Sequence, residues 1–168
     1  MFYEDVFAAL QASEVRYLVV GAFAMNLHGA PRMTADLDIV VDLGRTNMIR
    51  LLTAFENAGY RPRLPVPATD LLDERKRAAW FDEKNLVAFT FVNPKIPYQE
   101  VDVLLRSPVA FEEADGAKRV LPAGALRLPI MSIDHLIRMK RATGREQDRS
   151  DIDVLERIKA LRVKEEHG

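Results

Sequence analysis

The sequence has no cysteine among its 168 residues. That absence removes disulfides, thiolate zinc sites and cysteine nucleophiles together, and it fits a reducing compartment. Any chemistry must come from carboxylates, hydroxyls, His, Lys or Arg. A charge excess is also missing: 24 Lys and Arg stand against 25 Asp and Glu. The chain therefore does not coat nucleic acid by bulk charge, and a nucleic-acid partner would need a local patch. Long apolar runs are absent too. The longest, Tyr17 to Met25, is about half of a membrane span and contains Gly21. Glu4 and Asp5 occupy the place where a secretory signal carries positive charge. The expectation is a cytoplasmic protein with no membrane partner.

What is present suits a folded unit. A hydrophobic content of 48% is ordinary for a soluble domain with a core, and the length fits a single domain over residues 1–168. Phe2, Val6, Ala9 and Leu10 recur at helical spacing, so residues 2–13 read as a helix. A strand follows at 16–20, then Gly21 and a short helix stopped by Gly29 and Pro31. LDIVV at 37–41 is a second strand, and the segment from Arg45 to Gly59 a helix. Three prolines break the stretch from Arg61 to Asp70, and Asp73 to Glu83 reads equally as a polar helix or an ordered loop. LVAFTFV and YQEVDVLL, joined through Asn93-Pro94, suggest a hairpin, and KRVLPAGALRLPI two short strands. Ser132 can cap a helix with Ile133, Leu136, Ile137 and Lys140 on one face. A last helix runs through Ile152, Leu155 and Ile158. The reading is an α/β (α+β) fold: a mixed sheet with helices on one side over about residues 1–130, and a C-terminal helical pair over about 131–168.

Chemistry concentrates at three places. In Asp36-Leu37-Asp38-Ile39 the side chains alternate across a strand, so the two aspartates share a face. Adjacent carboxylates repel unless a cation or proton lies between them, and such oxygen ligands suit Mg²⁺ or Mn²⁺. Taken alone, an Asp-x-Asp pair is also the pattern of a turn, a surface face or a helix cap. Asp102, flanked by Val101 and Val103, could reach the same metals from a neighbouring strand and accept a proton from an attacking hydroxyl; the alternative is a solvent-facing alternation. At Gly21 a strand runs into a helix and presents backbone N–H groups to an anion such as a triphosphate, or Gly21 simply lets the chain turn.

In this order, YLVVGAFAMNLHGAPRMTADLDIVV, EVDVLL and SIDHLIRMKRATGREQDRSDIDVLERI resemble the nucleotidyltransferase superfamily related to polymerase β. The similarity is greatest to small bacterial proteins grouped with AbiEii-like toxins. The superfamily carries Gly-Gly or Gly-Ser after its first strand, then Asp-x-Asp, then a distant acid. Ala22 departs from that pattern, so a hydroxyl contact to phosphate is lost while the backbone N–H remains.

The resemblance implies a nucleotidyltransferase fold and transfer of a nucleoside monophosphate from an NTP to an acceptor hydroxyl. Asp36, Asp38 and Asp102 would be catalytic and would hold two Mg²⁺ or Mn²⁺ ions with bound NTP. Gly21, Ala22, Arg32, Thr34, Lys140 and Arg145 would line the nucleotide site. Several of these have plainer readings: Lys140 pairs with Asp148 or Asp151 or snorkels to solvent, and Arg32 and Thr34 fix the loop before the acids. The basic run of Arg138, Lys140, Arg141, Arg145 and Arg149 suits an RNA or nucleotide acceptor or is a solvated helix face. His28 reads as a structural hydrogen bond, and His135 and His167 lack metal-ligand spacing. Trp80 and Phe81 stack on a base or lie in the core. The acceptor stands open among RNA such as tRNA, protein and small molecules. A cognate toxin or antitoxin partner fits the same resemblance, as does a nucleotide-binding antitoxin module without turnover. A phosphohydrolase using water is a third class.

Overall fold

The computed structural model describes residues 1–167. Its first helix, α1 (Glu4–Ala12), buries Val6, Phe7 and Leu10, the residues whose spacing predicts it. It starts later than residue 2 because Tyr3 takes a left-handed conformation at its N-cap. The chain continues through β1 (Tyr17–Val20), α2 (Gly21–Leu27), β2 (Asp36–Val41), α3 (Arg45–Asn57) and a two-residue strand β3 (Arg61–Pro62). A 3-10 turn (Ala68–Leu72) leads to α4 (Glu74–Lys84). The segment that reads equally as loop or helix is helical because the Asp73 side chain accepts from the Arg75 and Lys76 N–H groups at its start. Then come β4 (Ala88–Val92), β5 (Glu100–Leu104), α5 (Phe111–Gly116), β6 (Arg119–Ala123), β7 (Leu126–Ile130), α6 (Ile133–Thr143) and α7 (Glu146–His167). The short helix α5 has no counterpart in the sequence reading.

The strands form one seven-stranded mixed sheet in the order β3-β4-β5-β2-β1-β7-β6. β2 runs parallel to β5 and β1 parallel to β7, while the other pairs are antiparallel, including the expected β4–β5 hairpin and the pairing of the two short strands β6 and β7. On the apolar face, Leu37 and Ile39 of β2, Val101 and Val103 of β5, and Phe89 and Phe91 of β4 are buried. Phe55 of α3 stacks on Phe91 and Trp80 of α4 stacks on Phe89. Trp80 is therefore a core residue. Phe81 lies under the Arg106 guanidinium.

The C-terminal pair packs on the other face. Ser132 caps α6 by accepting from His135 N–H, and Gly144 ends it in the left-handed conformation at φ 64°. Helices thus cover both faces, not one, and the acid-bearing strands β5 and β2 sit third and fourth of seven, in the middle of the sheet and not at its edge. Among the described residues no helix is long and apolar enough to cross a membrane.

Candidate functional site

Asp36 and Asp38 project from β2 on the face opposite Leu37 and Ile39, as strand alternation requires. The parallel register sets Asp38 beside Asp102 and Asp36 beside Glu100. With strands about 4.8 Å apart, the Asp38 and Asp102 backbones are immediate neighbours, and Asp36 lies roughly 8 Å from Asp102 along the diagonal. The Asp38 and Asp102 carboxyls are close enough to share a hydrogen bond. Burial, then the charges of Asp102 and Asp36, push the Asp38 carboxyl up to about 7, while Lys140 pulls the other way. Burial and Asp102 raise Asp36 too, with Arg63 opposing. Arg63 is itself paired with Glu100. The Thr90 hydroxyl, across the hairpin from Asp102, donates to its Oδ1 at 2.5 Å and fixes that oxygen.

Gly21 is set by this pair of strands. Its φ is +67°, and a Cβ there would collide with the Asp38 carboxylate. Only glycine lets the β1–α2 turn approach the acid this closely. Ala22 follows, half-buried at the start of α2.

A cleft of about 250 Å³ opens between the sheet and the C-terminal pair, lined by Gly21, Asp38 and Asp102 on one side and Lys140, Arg145 and Asp148 on the other. Lys140 points inward, its side chain 14% exposed, as the end of an apolar stripe predicts. Its ammonium lies 2.8 Å from Asp151 Oδ2 and 3.5 Å from Asp148 Oδ1, so the acid pairing anticipated for it is present, at the wall of the cleft. Arg145 Nε holds Asp148 at 3.1 Å, and Arg32 Nε approaches Asp151 at 3.2 Å. Asp36, Arg32 and Thr34 fall outside the lining of that cleft. The Thr34 hydroxyl donates to the Asp36 carbonyl at 3.0 Å, which fixes the entry to β2.

Four more residues contribute; the sequence names two of them, Asp148 and Asp151, as partners of Lys140, and leaves Thr90 and Arg63 unmarked. Asp148 and Asp151 are buried, and burial alone would raise both; hydrogen bonding from Thr143 and Arg145 at Asp148, and from Lys140 and Gln147 at Asp151, overcomes it and leaves both below the usual carboxylate range. Their signal was available: together with Leu155 they follow the three-to-four spacing of the buried stripe of α7. Thr90 and Arg63 carry no such mark, since only sheet pairing brings them to the acids. The histidines stay apart from the cleft lining. His28 Nε2 lies 2.8 Å from the Met131 carbonyl, the structural role expected of it.

The residues present suit a divalent cation: the donors are carboxylate oxygens, and they crowd until one of them takes a strongly raised pKa. Among the described residues no group of three or more His, Cys, Asp or Glu side chains is placed to hold a metal ion, so Asp36, Asp38 and Asp102 do not stand as a ready-made three-acid site.

No protein-family profile matches the sequence, and no curated protein matches it by sequence comparison. Solved structures do. The lincosamide antibiotic adenylyltransferase LnuA, crystallised with lincomycin, aligns over 91% of this chain and 93% of its own, with a TM-score of 0.56 and 15% identity. The antibiotic-resistance factor ANT(2'')-Ia aligns over 97% and 88%, with a TM-score of 0.55 and 12% identity. An antigenic nucleotidyltransferase-like protein from Paracoccidioides brasiliensis aligns over 93% and 72%, at 0.54 and 16%. The chain has the fold of these nucleotidyltransferases.

Proposed function

We propose that the protein is a metal-dependent nucleotidyltransferase that moves a nucleoside monophosphate from an NTP to an acceptor hydroxyl. The observation that carries this reading is the parallel pairing of β2 with β5, which sets Asp38 beside Asp102 under the Gly21 turn. Asp36, Asp38 and Asp102 would hold two Mg²⁺ or Mn²⁺ ions, which when bound neutralise phosphate charge and polarise the phosphorus. The Gly21 and Ala22 backbone and the Arg32, Thr34, Lys140 and Arg145 side chains would contact or frame the triphosphate. Asp102 takes the proton of the acceptor hydroxyl. The acceptor oxygen then forms a bond to the α-phosphorus, the bond from that phosphorus to the bridging oxygen breaks, and pyrophosphate leaves with the electron pair.

The likeness to AbiEii-like toxins supports an RNA or protein acceptor in a cytoplasmic toxin–antitoxin pair, and the fold shared with antibiotic adenylyltransferases supports a hydroxylated small molecule. Incubation with each α-labelled NTP and Mg²⁺ or Mn²⁺, in the presence of total RNA, total protein, lincomycin or tobramycin, separates these. Label should move to one acceptor class and should not move with Asp38→Asn protein. Absence of label and of nucleotide binding under every condition overturns the reading.

A further inference from the structure

Two carboxylates lie where α7 should bury apolar side chains. Asp148 and Asp151 are each 2% exposed, and neither has a role in the metal set. Burying ionised groups costs more than an apolar pair of the same shape, so their presence calls for a function other than stability. Both are paired with cations, beside neutral donors from Gln147 and the Arg145 backbone. Asp151 accepts hydrogen bonds from Lys140 at 2.8 Å and Gln147 Nε2 at 3.1 Å, and Arg32 Nε lies 3.2 Å away as an ion pair without hydrogen-bond geometry. Asp148 receives Lys140 at 3.5 Å and both the Nε and the backbone N–H of Arg145 at 3.1 Å.

We propose that Asp148 and Asp151 are positioning residues that hold Lys140 against the cleft wall opposite Asp38 and Asp102, with Arg32 and Arg145 braced on either side, so that a triphosphate meets an ordered ammonium. The proposal rests on the nucleotidyltransferase reading and assigns the two acids a part in it. Lys140 is a point charge on a flexible four-carbon stem, which in open solvent would sample many rotamers. An ammonium has three donors; one goes to Asp151, and Asp148 attracts the charge from 3.5 Å, which leaves donor capacity for a ligand. In the cleft lining Lys140 and Arg145 stand with Asp148, so this wall carries one net positive charge facing the acids of the sheet. The fold, and not the incoming nucleotide, then bears the entropic cost of ordering Lys140.

The same contacts would have the opposite effect if the acids merely competed with phosphate for Lys140, and the sign of one measurement separates the two. A non-hydrolysable ATP analogue is titrated, with and without Mg²⁺, into the parent, Asp151→Asn, Lys140→Met and the double variant, each shown folded by its melting curve. Positioning predicts that Asp151→Asn weakens binding roughly tenfold, the scale of one charged hydrogen bond. It also predicts that the double variant binds no more weakly than Lys140→Met alone, because the carboxylate acts only through the ammonium. Unchanged or tighter binding by Asp151→Asn overturns the proposal, as does a double variant that loses the sum of both effects. If Asp151→Asn does not fold, Asp148→Asn carries the same expectations and the same overturning outcomes. A parent that binds no nucleotide overturns the nucleotidyltransferase reading beneath; a parent that binds while Lys140→Met binds equally well overturns only the assignment made to the acids.

Discussion

At the scale of the residue, a carboxyl that keeps its proton to near neutral pH makes stability depend on pH. Asp38 is raised from an ordinary 3.8 to about 7 in the folded protein by burial and by Asp102 and Asp36. Between those values the folded chain holds a proton that the unfolded chain releases, so stability falls as pH rises from about 4 to about 7. Replacing Asp38 by Asn removes this slope. In metal-free buffer, Asp38→Asn should melt higher than the parent at pH 8 and no higher at pH 4, and Mg²⁺-dependent transfer should be lost. A variant that melted far lower at both pH values would make Asp38 a structural residue. Mg²⁺ must displace the same proton, so it should raise the parent's melting temperature more at pH 8 than at pH 6. Gly21→Ala is a second test. At φ +67° and against the Asp38 carboxylate, the added methyl should cost on the order of 1–3 kcal/mol and push the acid aside. Denaturant titration and nucleotide affinity should both fall; loss of neither would show that the turn has room to spare.

At the scale of the element, the β4–β5 hairpin does more than extend the sheet. It brings the Thr90 hydroxyl to Asp102 Oδ1 at 2.5 Å, fixing one oxygen of an acid that must face both a metal and an acceptor hydroxyl. Thr90→Val keeps the β-branched shape and the strand, so stability should fall by no more than about 1.5 kcal/mol, the net worth of one hydrogen bond. Transfer activity should drop by more than that change in melting accounts for. Equal, small losses in both would reduce Thr90 to packing. The elements themselves were mostly plain in the sequence, because period-two alternation and helical stripes are local properties. α4 was ambiguous because its composition is polar, and its Asp73 cap resolved it. α5 went unread because it is a six-residue helix with a single buried residue, Ala114.

At the scale of the whole molecule, the apolar face is the support that holds the acid face in register. Phe55, 2% exposed, stacks on Phe91 with ring centroids 4.3 Å apart and ties α3 to the sheet behind the acids. Phe55→Ala should cost about 3–5 kcal/mol as a large cavity opens. Nucleotide affinity of the protein that remains folded should change little, because no atom of Phe55 lines the cleft. Calorimetry and titration on the same sample check both halves.

The sequence alone determined the order of the main elements, the shared face of Asp36 and Asp38, the strand placement of Asp102 and the place of Lys140 on the apolar stripe of its helix, since each follows from the period of one strand or one helix. Only the tertiary structure decided that β5 lies parallel beside β2 in the middle of the sheet, that Gly21 must lack a side chain because Asp38 occupies that space, and that Lys140, Arg32 and Arg145 converge on two buried aspartates of α7. The reason is physical: periodicity states which way a side chain points from its own element, whereas these contacts join residues dozens of positions apart, and strand pairing and helix packing settle them by burying the two apolar faces together.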